Sequence, residues 1–187
     1  MDPMYAIALA PGLVLLAALF NGLFGRWYGG EVSGVTGAGA SALAFLLVLL
    51  GLFSFGGAGA DAVKITLWDW LPGMPLAFHI DQLSLLFAAV ITGVGFLINV
   101  YSIGYMQGDD GGSRYFAGLN LFIAAMLVLV LADSFVLMFV GWEGVGVCSY
   151  LLIGFWYRDR LNANAARKAF IVNRIGDVGF LLAMFMT

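Results

Sequence analysis

A carboxylic acid in the middle of a long apolar run is the residue most able to do chemistry in this chain. Glu143 stands in Phe139-Val140-Gly141-Trp142-Glu143-Gly144-Val145-Gly146, flanked by a run with no other charged side chain. If that run crosses a membrane, Glu143 lies about nine residues in, or roughly 13 Å from one edge. An ionised carboxylate at such a depth costs about 2.5–3.5 kcal/mol on insertion scales. It must therefore face protein or water, find a cation, or take up a proton. A group held between those states suits proton relay, and the alternative is a structural carboxylate bonded to a neighbouring helix. A second charged cluster follows in Arg167-Lys168-Ala169-Phe170-Ile171-Val172-Asn173-Arg174-Ile175-Gly176-Asp177. Arg174 and Asp177 are three residues apart, so on a helix they share a face and can pair. Structural pairing and a part in charge transfer are both open to them.

Other reactive residue types carry less. His79 precedes Asp81 at the start of an apolar run and reads as a residue of the interface or of a helix cap. Cys148 is the only cysteine and lies within apolar sequence, where it packs as a small hydrophobe. No His/Cys/Glu set has metal-ligand spacing. The Gly-x-Gly around Glu143 follows no strand, so it is not a nucleotide fingerprint. The small residues there instead let helices approach closely in a membrane. Asn99, Asn120 and Asn173, inside apolar segments, read as interhelical hydrogen-bond formers.

The elements that must hold these groups follow from composition. Of 187 residues, 63% are hydrophobic and 10% charged, with a mean hydropathy of +1.00. A soluble domain is nearer half apolar and a quarter charged. A scattered net charge of −3 gives no basic patch for nucleic acid. The sequence predicts an all-α, multi-spanning membrane bundle, since continuous apolar runs without alternation exclude a barrel. Spans of about 20 residues are expected at 4–24, 34–55, 81–105, 115–131 and 135–157. A sixth begins near Ala169 and is cut short at Thr187, which reads as a piece of something longer. The first span lacks a basic n-region and is expected to be retained.

The connections carry the polar residues. The long 56–80 segment holds Lys64-Ile65-Thr66-Leu67-Trp68, then Pro72-Gly73-Met74-Pro75, and predicts a small surface β-hairpin. Ala132–Ser134 is short enough to make its flanking spans antiparallel neighbours, with Asp133 or Ser134 as N-cap. Arg26, Arg114, Arg158, Arg160, Arg167 and Lys168 fall on one side and Lys64 alone on the other. The positive-inside rule then puts the N-terminus and the 56–80 segment outside. The chain divides into 1–80, two helices and the external loop, and 81–187, which carries the charges.

Several runs together resemble the L subunits of bacterial NADH–quinone oxidoreductase (complex I). They are 91–98, Arg114-Tyr115-Phe116, 120–124, Val130-Leu131-Ala132-Asp133-Ser134, Gly141-Trp142-Glu143-Gly144-Val145-Gly146, 149–155, Lys168-Ala169-Phe170 and Arg174-Ile175-Gly176-Asp177-Val178. The last hundred residues match densely and the first eighty by pattern. The resemblance implies an antiporter-like fold of inverted five-helix repeats, of which 81–187 is the truncated start. It makes Glu143 a proton-channel residue partnered by a lysine on a later helix, and it marks Arg174 and Asp177 as functional. It implies proton translocation in an inner (cytoplasmic) membrane, coupled to electron transfer from NADH to quinone. It also implies neighbouring membrane-arm subunits as partners, and no cofactor in this chain: FMN, iron–sulfur clusters and quinone belong to partner subunits. The alternatives are the large subunit of a multisubunit cation/proton antiporter and a truncated structural piece that moves no ions.

Overall fold

The computed structural model describes residues 3–54, 62–71 and 74–186. Five helices and one two-stranded sheet make up the described chain: α1 (Pro3–Ser54), β1 (Val63–Leu71), β2 (Met74–Ile80), α2 (Gln82–Tyr105), α3 (Gly112–Leu131), α4 (Phe135–Ile153) and α5 (Arg160–Met186). All five helices are long and apolar enough to cross a membrane. α1 holds two of the expected spans. Gly29 interrupts it with φ +84° and ψ 175°, a conformation that glycine adopts without steric cost. The chain doubles back there. Asn21 Nδ2 donates to Ser33 O at 2.9 Å, and Thr36 Oγ1 donates to Asn21 Oδ1 at 2.7 Å. Further out, the Ile7 side chain lies where a Cβ on Gly51 would stand. The six expected spans are thus present, but 25–33, expected as a loop, is helical on both sides of one residue.

Local sequence explains the other boundaries. Asp81 caps α2 in a reciprocal box: Ser84 N donates to Asp81 Oδ1 at 2.7 Å and Asp81 N to Ser84 Oγ at 2.9 Å. Ser134, one of the two expected caps, accepts from Leu137 N at 3.2 Å and starts α4. α5 begins at Arg160, earlier than the apolar run alone suggests. Its first turns are polar, and hydropathy does not register them.

β1 and β2 pair antiparallel from Val63↔Ile80 to Leu71↔Met74; the expected Pro72-Gly73 turn lies outside the described residues. The hairpin sits on the α3–α4 turn. Asp133 N donates to Ala77 O at 3.1 Å, and Lys64 Nζ meets Asp133 Oδ2 at 2.5 Å.

α3 is the central element, packed against α1, α2 and α4. Val14, Val48, Leu85, Leu127 and Leu131 fill the core with no exposure. The polarity runs opposite to that of a soluble protein. Asn21, Ser41, Thr92, Asn99 and Asn120 are buried, while Leu16, Leu50, Phe53, Leu97 and Tyr101 are exposed. Lipid outside and hydrogen-bonded polar groups inside account for that arrangement. Asn99 and Asn120 do bond across helices: Asn120 Nδ2 donates to Asn99 Oδ1 at 3.3 Å, and Asn99 Nδ2 to Ser41 Oγ at 3.4 Å. These bonds tie α1, α2 and α3 together.

Candidate functional site

Glu143 lies on α4, ten residues before the helix ends. Arg174 lies on α5, fourteen residues after that helix begins. The tight 154–159 connection makes the two helices antiparallel, so both residues reach a similar depth. Small residues set the spacing. A Cβ on Gly144 would stand 2.9 Å from Ala125 Cβ, and one on Gly141 would stand 2.6 Å from Leu129 N, so α4 lies directly against α3. On the other face, a Cβ on Gly146 would lie 3.5 Å from Arg174 Nη2. The bare backbone makes room for the guanidinium.

Arg174 bridges two carboxylates. Its Nη1 pairs with Glu143 Oε2, and its Nε faces Asp177 Oδ2 at 3.1 Å. The expected Arg174–Asp177 pair is present. Glu143 joins it, although the sequence analysis gave Glu143 only a lysine on a later helix as partner. Asp177 is 4% exposed and accepts from Trp142 Nε1 at 2.9 Å. Trp142 in turn stacks on Phe180 with centroids 6.0 Å apart, and the Arg174 guanidinium lies 4.7 Å over the Phe170 ring. Aromatic faces thus wall the cluster on α5.

The charges do not balance. With both carboxylates ionised, Glu143, Asp177 and Arg174 sum to −1. Arg174 Nε, Arg174 Nη2 and Asp177 Oδ2 make no hydrogen bond, so proximity and charge, rather than an aligned donor, hold Arg174 to Asp177.

Of the other candidates, His79 stands at the sheet edge with Nδ1 3.8 Å from Asp133 Oδ1, beside the Lys64–Asp133 pair and far along the chain from Glu143. Cys148 is fully buried. Lys168 is exposed in the early turns of α5. Sequence reasoning missed Trp142 as a donor to Asp177. The signal was present: Trp142 adjoins Glu143 at the same depth as Asp177.

A bundle of helices able to span a membrane, with a charge cluster inside and polar groups turned inward, defines a multi-pass membrane protein. Residues 71–116 match the family described as the N-terminus of NADH-ubiquinone oxidoreductase (complex I) chain 5. Residues 132–187 match the membrane family of NADH:quinone oxidoreductase and Mrp antiporters. NADH-quinone oxidoreductase subunit L of Escherichia coli (strain K12) is 48% identical over 94% of this chain and 28% of its own length. The subunit L of Mycobacterium tuberculosis (strain ATCC 25618 / H37Rv) is 49% identical over 81% of this chain and 23% of its own. Among solved structures, a chain of the Mrp complex from Dietzia sp. DQ12-45-1b superposes with a TM-score of 0.74 at 27% identity, covering 98% of this chain and 19% of that one. The chain belongs to the subunit L family of NADH-quinone oxidoreductase and corresponds to its N-terminal portion. It spans less than a third of the length of these relatives.

Proposed function

We propose that the protein to which this chain belongs translocates protons across an inner (cytoplasmic) membrane, coupled to electron transfer from NADH to quinone in a multisubunit complex. The observation that carries the reading is the Glu143–Arg174–Asp177 cluster, two carboxylates sharing one guanidinium inside a membrane-spanning helix pair. In this reading Glu143, only partly buried, exchanges protons, and Arg174 and Asp177 set the field in which it does so. Neighbouring membrane-arm subunits are the partners. FMN, iron–sulfur clusters and quinone act in other subunits. The N-terminus and the β1–β2 hairpin face outward, on the strength of the basic residues gathered at the opposite end. The membrane family matched by 132–187 also takes in Mrp antiporters, so cation/proton exchange without electron transfer is the second reading.

The test is Glu143→Gln in the full-length protein. The amide keeps shape and hydrogen bonding but holds no exchangeable charge. NADH-driven acidification in membrane vesicles is expected to fall well below that of the parent while the complex still assembles. Glu143→Asp is expected to retain part of the activity. Normal acidification with Glu143→Gln would return Glu143 to a structural role.

A further inference from the structure

At the end of the bundle where the arginines gather, the first arm of α1, α3, the end of α4 and the start of α5 enclose a cavity of about 570 Å³. It is distinct from the charge cluster. Its walls are apolar, built from residues such as Leu19, Leu121 and Leu152, and its polar groups include the guanidinium groups of Arg114 and Arg167. The volume falls within the roughly 300–1,000 Å³ of small-ligand sites. An apolar slot of that size between helices suits an acyl chain.

Both arginines are exposed. Arg114 lies 5.0 Å from the Phe155 ring and 5.2 Å from the Tyr157 ring and spends one donor on Phe155 O at 3.3 Å. A guanidinium has five donors, so most of its capacity remains. Asp109, the carboxylate whose charge reaches Arg114, is itself turned to Trp156 Nε1 at 3.0 Å and Gly111 N at 2.8 Å. Arg167 is bonded to Asn164. Among the described residues, none that lines the cavity is acidic; Asp109, Asp110 and Asp159 line an adjoining pocket on the other side of Arg114.

We propose that this cavity binds an anionic phospholipid, with an acyl chain between α1, α3 and α4 and the headgroup phosphate between Arg114 and Arg167. An apolar slot between spanning helices, closed by cations at the membrane surface, matches the amphipathic shape and charge of that lipid. Arginine forks suit phosphate oxygens.

The experiment uses the full-length protein, in the complex with which it purifies, in nanodiscs. These carry a phosphatidylglycerol with a photoactivatable group on one acyl chain, or the matching phosphatidylcholine. Cross-links are mapped by mass spectrometry. The phosphatidylglycerol is expected to label 117–121 and 151–155 in preference to the phosphatidylcholine, by up to roughly 30-fold if each arginine contributes about 1 kcal/mol. Arg114→Gln with Arg167→Gln is expected to abolish the preference while leaving the neutral lipid's labelling in place. Ala163→Trp, which fills the cavity wall and spares both arginines, is expected to abolish labelling by either lipid. Equal labelling by the two lipids in the unaltered protein would overturn the proposal, and so would no labelling of these segments, which would mean that protein covers the cavity. The wild-type comparison decides even if a variant fails to assemble.

Discussion

Removing Arg174 should do more damage than removing either carboxylate that it serves, and the charge count shows why. Arg174→Met leaves Glu143 and Asp177 together without a cation, a change from −1 to −2. Asp177→Asn instead leaves one carboxylate on one guanidinium, a balanced pair, and the amide oxygen can still accept from Trp142 Nε1. Breaking a buried pair by deleting one partner typically costs about 3–5 kcal/mol. The Arg174 side chain is 36% exposed, so the lower end applies, about 3 kcal/mol, or roughly a hundredfold in the folding equilibrium. Asp177→Asn should cost about 1 kcal/mol, the worth of an ordinary hydrogen bond. The assay is thermal unfolding of the detergent-solubilised full-length protein, followed by the fraction that stays monodisperse after heating. Arg174→Met should be the least stable variant, and adding Asp177→Asn to it should recover part of the loss. The reasoning fails if Asp177→Asn alone destabilises as much as Arg174→Met, because Asp177 and Arg174 would then form a closed pair with Glu143 outside it.

Three further outcomes follow from other parts of the fold. Gly144→Ala would drive its Cβ to 2.9 Å from Ala125 Cβ and should cost about 1–3 kcal/mol by overpacking; adding Ala125→Gly should restore thermal stability, and no rescue would mean that α4 does not rest on α3 as described. Asp81 is held below the usual carboxylate range by the Ser84 backbone N–H, against an opposing effect of burial. Its cap should therefore contribute its full stability above the ordinary value of 3.8 and lose it as pH falls through the lower folded value. Asp81→Ala should accordingly cost about 0.5–2 kcal/mol at neutral pH, with the gap from wild type closing in acid, as pH-resolved melting would show. In intact cells, an impermeant maleimide should label Thr66→Cys on β1 and spare Asn162→Cys at the start of α5; the reverse pattern would invert the orientation.

Much of this arrangement was legible because lipid makes simple demands. Six apolar runs of about the right length gave six spans, and Ser134 and the 63–80 hairpin followed from capping and turn chemistry. The reversal at Gly29 was not legible. Two glycines at 29 and 30 and a polar stretch around them look like a loop, whereas a single residue at φ +84° turns the chain and leaves both arms helical. Gly30 and Gly112 then meet nearly backbone to backbone, a contact between residues far apart in sequence. The site was half legible. The i, i+3 spacing paired Arg174 with Asp177, but the reach from Arg174 to Glu143 depends on the register of α4 against α5. That register is fixed by contacts such as Gly154 on Ala166, where a Cβ on Gly154 would stand 3.1 Å from Ala166 Cβ. Counted from the observed ends of α4 and α5, the two residues come within about one helical turn of each other, but the later start expected for the sixth span hid this.

The two halves of the bundle are held by different means. α1, α2 and α3 are joined by buried amides and hydroxyls that are fully inside. α4 meets α5 through aromatic rings and the charge cluster. Among described residues, only Ala166 and Asp177 of α5 are buried. Ile171, Ile175, Val178, Leu182 and Phe185 are exposed along it. A buried amide network has one good arrangement, since each broken bond leaves an unpaired group in a low-dielectric interior. The charge cluster is less saturated, since Arg174 Nε, Arg174 Nη2 and Asp177 Oδ2 make no hydrogen bond. One guanidinium there faces two carboxylates, Glu143 on α4 and Asp177 on its own helix α5. The charged part of the α4–α5 contact therefore rests on the single guanidinium of Arg174, whereas α1, α2 and α3 share several buried polar side chains.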